Sequence, residues 1–189
     1  MYSNIKNRFA TPDIEIKRND LSKVIIKKER LFELINFLGV EYDYLTLNAI
    51  SCTDWIEDNH FALTYMLTKL DRTHTIMVQT SIKRDAEFPT ISHIFKQAQI
   101  MERDLFEMYG INFVGNSNLK ELSLENWVHT PPLRREFDSL EFVNTHLTFR
   151  EGRDDNVDTK AETKRLRALK KAKKLAEKKK LEEAKNGDS

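Results

Sequence analysis

Met101-Glu102-Arg103-Asp104-Leu105-Phe106-Glu107-Met108-Tyr109-Gly110-Ile111 opens the stretch on which the reading of this chain turns, and Pro131-Pro132-Leu133-Arg134-Arg135-Glu136-Phe137 closes it. Ile94, Ala98, Met101, Leu105 and Met108 recur at spacings of three and four, which sets one apolar stripe along a helix. Glu102, Phe106 and Tyr109 lie on a neighbouring face of that helix. Arg103 and Glu107 sit four apart, within reach of each other on its surface. Gly110 supplies the left-handed residue that commonly closes a helix. Two consecutive prolines then fix a non-helical backbone, so that Arg134 and Arg135 leave it in a set direction.

Outward from this helix the pattern changes period. Phe61, Leu63, Tyr65 and Leu67 alternate with Ala62, Thr64, Met66 and Thr68, and Ile76, Val78, Thr80 and Ile82 alternate in the same way. Period two is the mark of strands with two unlike faces, and the Asp71-Arg72 turn between them predicts an antiparallel hairpin. Tyr42 to Cys52 reads as a further strand and Asp54 to Asn59 as a turn. Val24-Ile25-Ile26 is a short β-branched strand. Leu31, Leu34, Ile35 and Leu38 repeat at helical spacing, with Gly39 as the stop. Strand, helix, three strands, helix predicts an α+β fold, with a small, mostly antiparallel sheet and helices packed on one face. Residues 1–19 read as an extended lead-in, 20–137 as the domain, 138–156 as an irregular extension in which Glu141 to Phe149 suits one more strand, and 157–189 as a lysine-rich tail, helical or disordered.

The quoted stretch resembles the signature of the thirty-kilodalton subunit family of respiratory complex I, the C-type subunits of bacterial NADH:quinone oxidoreductase, a module shared with complex I-related membrane-bound nickel-iron hydrogenases. The residues that carry the resemblance are Glu102-Arg103-Asp104, Glu107-Met108-Tyr109-Gly110-Ile111 and Leu133-Arg134-Arg135-Glu136-Phe137, with Phe88-Pro89-Thr90-Ile91-Ser92-His93-Ile94-Phe95 as the approach. The likeness spans most of residues 20–137. It departs after the Gly-Ile step, where the family has Gly-His-Pro-Asp-Leu-Arg-Arg and this chain has Gly115-Asn116-Ser117-Asn118-Leu119-Lys120-Glu121.

The resemblance implies a non-catalytic subunit in the hydrophilic arm of a membrane-bound oxidoreductase, carrying no cofactor of its own. It also implies docking on the large quinone-site or nickel-iron subunit and contact with neighbouring subunits of the arm. The residues it points to for docking are Glu102, Arg103, Asp104, Glu107, Tyr109, Gly110, Leu133, Arg134 and Arg135. Two members of the family class stay open, an NADH:quinone oxidoreductase and an energy-converting or formate-linked hydrogenase. On residues alone, Glu102 to Glu107 is a solvated helix face with one ion pair of a few tenths of a kcal/mol. The resemblance makes it a surface on which charge pairs fix a partner's orientation.

Charge is segregated along the chain. Residues 160–185 hold twelve Lys/Arg against four Asp/Glu, whereas residues 1–159 hold nineteen against twenty-five, so a formal charge of +1 hides a basic tail on a mildly acidic body. A basic tail suits solvent first and anionic lipid headgroups second. Nucleic-acid binding through the tail is a third reading of another class, weakened because no aromatics interleave with the lysines for base stacking. The tail leucines, Leu166, Leu169, Leu175 and Leu181, do not keep a heptad.

The remaining signals exclude more than they assign. Five glycines are too scattered for a dinucleotide or phosphate loop. Five histidines lack metal-ligand spacing, and His93, at the start of the signature helix, reads first as a packed or solvated side chain. Cys52 alone supplies neither a disulfide nor a thiolate set, and it fits a reducing compartment. No apolar run reaches the ~20 residues of a membrane span and the N-terminus lacks an apolar signal core. The expectation is a soluble subunit held peripherally at the cytoplasmic face of a membrane.

Overall fold

The computed structural model describes residues 1–9, 12–147 and 167. The chain begins with helix α1 (Tyr2–Phe9), then strands β1 (Asp13–Arg18) and β2 (Leu21–Ile25), helix α2 (Leu31–Tyr42), and strands β3 (Thr46–Trp55), β4 (His60–Thr68) and β5 (Thr75–Lys83). The short strand β6 (Phe88–Pro89), helix α3 (Ala98–Tyr109), the short strand β7 (Phe113–Val114) and helix α4 (Ser139–His146) complete the order. The main sheet has the order β1-β2-β5-β4-β3, and β6 pairs with β7 in a second, two-stranded sheet. Every pairing in the main sheet is antiparallel except β2 with β5. This is the expected α+β architecture.

Alternation places the core. Phe61, Leu63, Tyr65 and Leu67 of β4 face the same way as Ile76, Val78, Thr80 and Ile82 of β5, and all are buried. Leu31, Leu34, Ile35 and Leu38 of α2 close over them, joined by Ile5 and Phe9 of α1 and Ala98 and Leu105 of α3. In β3 the register slips by one between Leu47 and Ala49. That bulge moves the inward parity from Leu47 to Ile50, Cys52 and Asp54, which carries a carboxylate to the covered face. Both edges are protected. The Leu47 carbonyl accepts from Gln97 Nε2 at 3.3 Å and the Cys52 carbonyl from the Tyr109 hydroxyl at 3.1 Å, while β1 is exposed and largely charged.

Several expectations are corrected. Residues 1–19 hold α1 and β1 rather than an extended lead-in. Ile5 and Phe9, four apart and buried, fasten α1, and the Tyr2 hydroxyl meets His74 Nε2 at 3.3 Å. Gly39 does not end α2, which continues to Tyr42 and stops on left-handed Asp43, φ 59°. The signature helix starts at Ala98, not Ile94, and residues 139–146 are helical instead of extended. Apart from Arg167, the tail lies outside the described residues. The chain divides after Ser139, and Met1–Ser139 forms one compact unit.

Candidate functional site

The buried residues of α3 are Ala98, Glu102, Leu105 and Glu107, so the covered face is turned from the apolar stripe read off the sequence and includes two carboxylates. Burying a carboxylate is costly unless donors surround it. Glu102 is fully buried and has three. Its Oε1 accepts the Ile91 N–H at 2.8 Å, and its Oε2 accepts the Thr90 hydroxyl at 2.5 Å and Asn116 Nδ2 at 2.8 Å. Desolvation still pushes its carboxyl above the ordinary glutamate value, with the three hydrogen bonds working against that rise. Glu102 thereby joins the segment entering α3 to the segment leaving it, beside the β6–β7 pair. Asn116 also donates to the Gln99 carbonyl at 3.1 Å. Gly115 has φ +93°, and a Cβ there would sit 3.0 Å from Thr90 Cγ2.

Glu107 and Arg103 do the same for the loop after β7. The Glu107 carboxylate accepts the backbone N–H groups of Leu122, Ser123 and Leu124 at 2.8–3.1 Å. Burial works to raise its carboxyl, but those three donors and the Arg103 charge hold it below the ordinary value. Arg103 Nε donates to the Lys120 carbonyl at 2.7 Å and Nη2 to the Glu121 carbonyl. The expected pair along the helix is thus replaced by two side chains gripping successive parts of residues 120–124. Asp104 points to solvent.

The helix exit is locked by the second half of the signature. Gly110 caps α3 at φ +74°, and its N–H reaches the Phe106 carbonyl at 2.8 Å. The Leu133 N–H donates to the Met108 carbonyl at 3.0 Å and Arg134 Nε to the Tyr109 carbonyl at 2.6 Å, so the free carbonyls of the last turn meet a cation. Arg134 Nη2 reaches Asp85 Oδ1 at 2.6 Å. The Arg134 and Arg84 guanidinium carbons stand 5.5 and 5.4 Å from the Phe61 ring centroid. Asp54 Oδ2 accepts both Arg84 Nη2 and the Arg135 N–H at 3.0 Å, and Arg84 also pairs with Glu136. Tyr109 lies edge-on to Phe61.

Of the nine expected docking residues, Glu102, Arg103, Glu107, Tyr109, Gly110 and Arg134 are therefore engaged with their own chain. Leu133 is 53% exposed, Asp104 is exposed, and the exposed Arg135 side chain pairs with Glu57 at 2.6 Å. Sequence reading missed Asp54, Asp85, Arg84, Glu57, Glu136, Thr90 and Asn116 as parts of this network. Thr90, Asn116 and Glu136 lay within the quoted motif segments and Asp85 at the pattern break of residues 85–89, but nothing local signalled their partners. Among the described residues no group of three or more His, Cys, Asp or Glu could hold a metal ion. Cys52 is buried, and burial beside Asp54 pushes its thiol up to about 12.

Fold and site together define an α+β module whose charged signature fastens its own loops around one helix. The chain belongs to the family described as respiratory-chain NADH dehydrogenase, 30 Kd subunit, which it matches over residues 24–143. It is 27% identical over 115 residues to the C-type subunit of NADH-quinone oxidoreductase from Erythrobacter litoralis, covering 60% of this chain and 46% of that one. It is 30% identical over 131 residues to the C/D subunit of the same enzyme from Proteus mirabilis, covering 64% of this chain and 22% of that one. The chain thus spans less than half the length of these relatives. Two solved structures share the fold. One is a chain of the membrane-bound sulfane sulfur reductase, an archaeal respiratory membrane complex, with TM-score 0.70, 22% identity, and coverage of 82% of this chain and 96% of that one. The other is a trypsin-resistant fragment of Nqo5, with TM-score 0.54, 21% identity, and coverage of 64% and 97%. No helix among the described residues is long and apolar enough to cross a membrane.

Proposed function

We propose that the chain is a non-catalytic hydrophilic-arm subunit of a complex I-type NADH:quinone oxidoreductase. It docks on the large quinone-site subunit and supports electron transfer coupled to ion translocation, with the redox centres in its neighbours, at the cytoplasmic face of the membrane. The observation that carries this reading is the family match over residues 24–143. The site adds a physical argument. Residues 133–137 are fixed by Met108, Tyr109, Asp54 and Asp85, yet leave Leu133 and Arg135 outward, and a preorganised apolar-plus-arginine edge loses little entropy on binding. The internal clamps hold that edge in place. The basic tail is proposed to touch anionic headgroups.

Charge reversal tests the assignment. Arg135→Glu should reduce recovery of the chain with the large subunit at least tenfold, and adding Glu57→Arg should rebuild the internal pair without restoring recovery. Full recovery in the double variant would make Arg135 a purely internal partner and remove this docking face. A second reading within the family is the equivalent subunit of a complex I-related nickel-iron hydrogenase. Mass spectrometry of the native complex separates the two: flavin- and NADH-binding subunits support the first, nickel in the large subunit the second.

A further inference from the structure

We propose that Trp55 is the aromatic anchor of the docking edge. Its occupant is the large subunit proposed to dock at Leu133 and Arg135, which grips the end of β3 from both faces of the sheet. The partner surface is a protein cleft that encloses an indole and offers an oxygen, from a backbone carbonyl or a carboxylate, to its N–H. This inference deepens the proposed function and rests on it.

Trp55 ends β3 and is 47% exposed. It stands between two residues that hold Arg135. Asp54 Oδ2 accepts the Arg135 N–H at 3.0 Å, and the Glu57 carboxylate accepts Arg135 Nη1 at 2.6 Å. Residues 54–57 therefore join the indole to the arginine edge as one surface. Side chains alternate along a strand, so the ring leaves on the face opposite the buried Asp54 carboxylate, turned away from α2 and α3. There it stacks on His60, its cross-strand partner, with ring centroids 6.3 Å apart and planes 19° from parallel. The hairpin end that carries it is already fixed. Left-handed Asn59, φ 52°, closes the turn, its carbonyl accepts the Arg84 N–H at 3.3 Å, and Arg84 Nη2 pairs with Asp54. A preorganised Trp beside an Arg is the composition of a binding hot spot.

Trp127 shows what a self-sufficient indole looks like in the same chain. Its Nε1 donates to the Thr130 carbonyl at 3.1 Å, and its ring packs on His129 and Phe137. The Trp55 N–H has no acceptor among the described residues. The neighbouring positions of its face are neutral, Ser51 and Thr53 on β3 and Ala62 and Thr64 on β4, in a chain of which 32% is charged. Depletion of charge around a Trp and an Arg is the compositional mark of an interface core. Geometry selects the occupant. Asp54 fixes the Arg135 backbone from the covered face of β3, whereas the indole stands on the opposite face. A planar lipid surface meets one face of a strand; a folded partner with a cleft reaches both.

The test uses the full chain in its native complex. Trp55→Ala should lower recovery with the large subunit at least ~tenfold, as an anchor does. His60→Ala breaks the same ring stack but keeps the indole, and should retain most of the recovery. Equal losses in the two variants would make Trp55 a brace of the hairpin and overturn the proposal. Photo-crosslinking from p-benzoylphenylalanine in place of Trp55 keeps an aromatic ring there and should capture the large subunit. Capture of another subunit, of lipid or of a second copy would overturn the anchor, as would no capture from a chain present in the complex. If Trp55→Ala fails to fold, the cross-link alone decides between these outcomes. Wild-type recovery of Trp55→Ala while Arg135→Glu is lost would remove the anchor and leave the docking edge standing. Wild-type recovery of both variants would remove the anchor and the edge together.

Discussion

At the scale of single residues, the decisive fact is that Glu102 is a carboxylate with three donors and no solvent. Glu102→Gln removes the charge but turns one acceptor into a donor facing N–H or O–H groups already committed elsewhere. Asn116 donates to the Gln99 carbonyl at 3.1 Å and accepts the Asn118 N–H at 3.0 Å, and the Ile91 N–H can only donate, so neither can reverse roles. The substitution should cost ~1–3 kcal/mol in urea unfolding despite removing a buried charge. A stability unchanged within ~0.5 kcal/mol would show that the geometry is not held by these bonds. Cys52 gives a second residue-level prediction. With its thiol pushed up to about 12, modification at neutral pH should be far slower in the native chain than in denaturant. Equal rates in the two states would mean that the Tyr109–Cys52 contact opens readily.

At the scale of elements, α3 is held along its length by the segments that flank it, and its clamps fail differently. Gly110→Ala places a β-carbon at φ +74°, 3.0 Å from Arg134 Nη2 and 3.1 Å from Pro131 Cγ. The conformational term alone is ~1–2 kcal/mol. The displaced Arg134 should also free residues 131–137 for limited proteolysis, a cut absent from the parent chain. The 120–124 loop depends on an ionised Glu107. Because its folded-state pKa is depressed, that stabilisation is present above the unfolded value and lost as pH falls through the depressed one. Amide exchange should therefore show Leu122, Ser123 and Leu124 losing protection on acidification. Glu102 has the opposite sign: its folded-state pKa is raised, so its stabilising contribution is complete below the unfolded value and declines as pH rises through the raised one. The Ile91 amide should stay protected in acid while the loop amides open. Simultaneous loss at all four amides would mean global unfolding rather than release of one clamp.

At the scale of the whole molecule, the chain from Met1 to Ser139 is a sheet with helices on one face and an ion network at one end. That end gathers Asp54, Arg84, Asp85, Arg134, Arg135 and Glu136. Exposed ion pairs stabilise weakly, but Arg84 and Asp54 have side chains only 11% and 2% exposed, and breaking such a pair is costly because one charge is left behind. Asp54→Ala should thus lower stability more than Glu57→Ala, whose partner Arg135 remains in water; equal effects in thermal unfolding would show the inner network to be solvated.

Much of this was legible in the sequence. Alternation in residues 61–68 and 75–82 gave the hairpin, helical spacing gave α2, and the Glu-Arg and Leu-Arg-Arg signatures gave the family. These signals are local, because side-chain period comes directly from backbone geometry. Three things needed the tertiary structure. The bulge after Leu47 turned Asp54 inward, packing on β3 rolled α3 until Glu102 was covered, and Ile5 with Phe9 found a hydrophobic seat that no neighbour in sequence supplies. A charged residue on a helix is read as solvated because water is its usual partner. Whether backbone donors from Ile91 or Leu122 replace that water is a matter of where distant segments arrive. The sequence alone determined the central strands, the two main helices and their lineage; only the arrangement in space decided the terminal helices, which charges stabilise the fold and which still face outward.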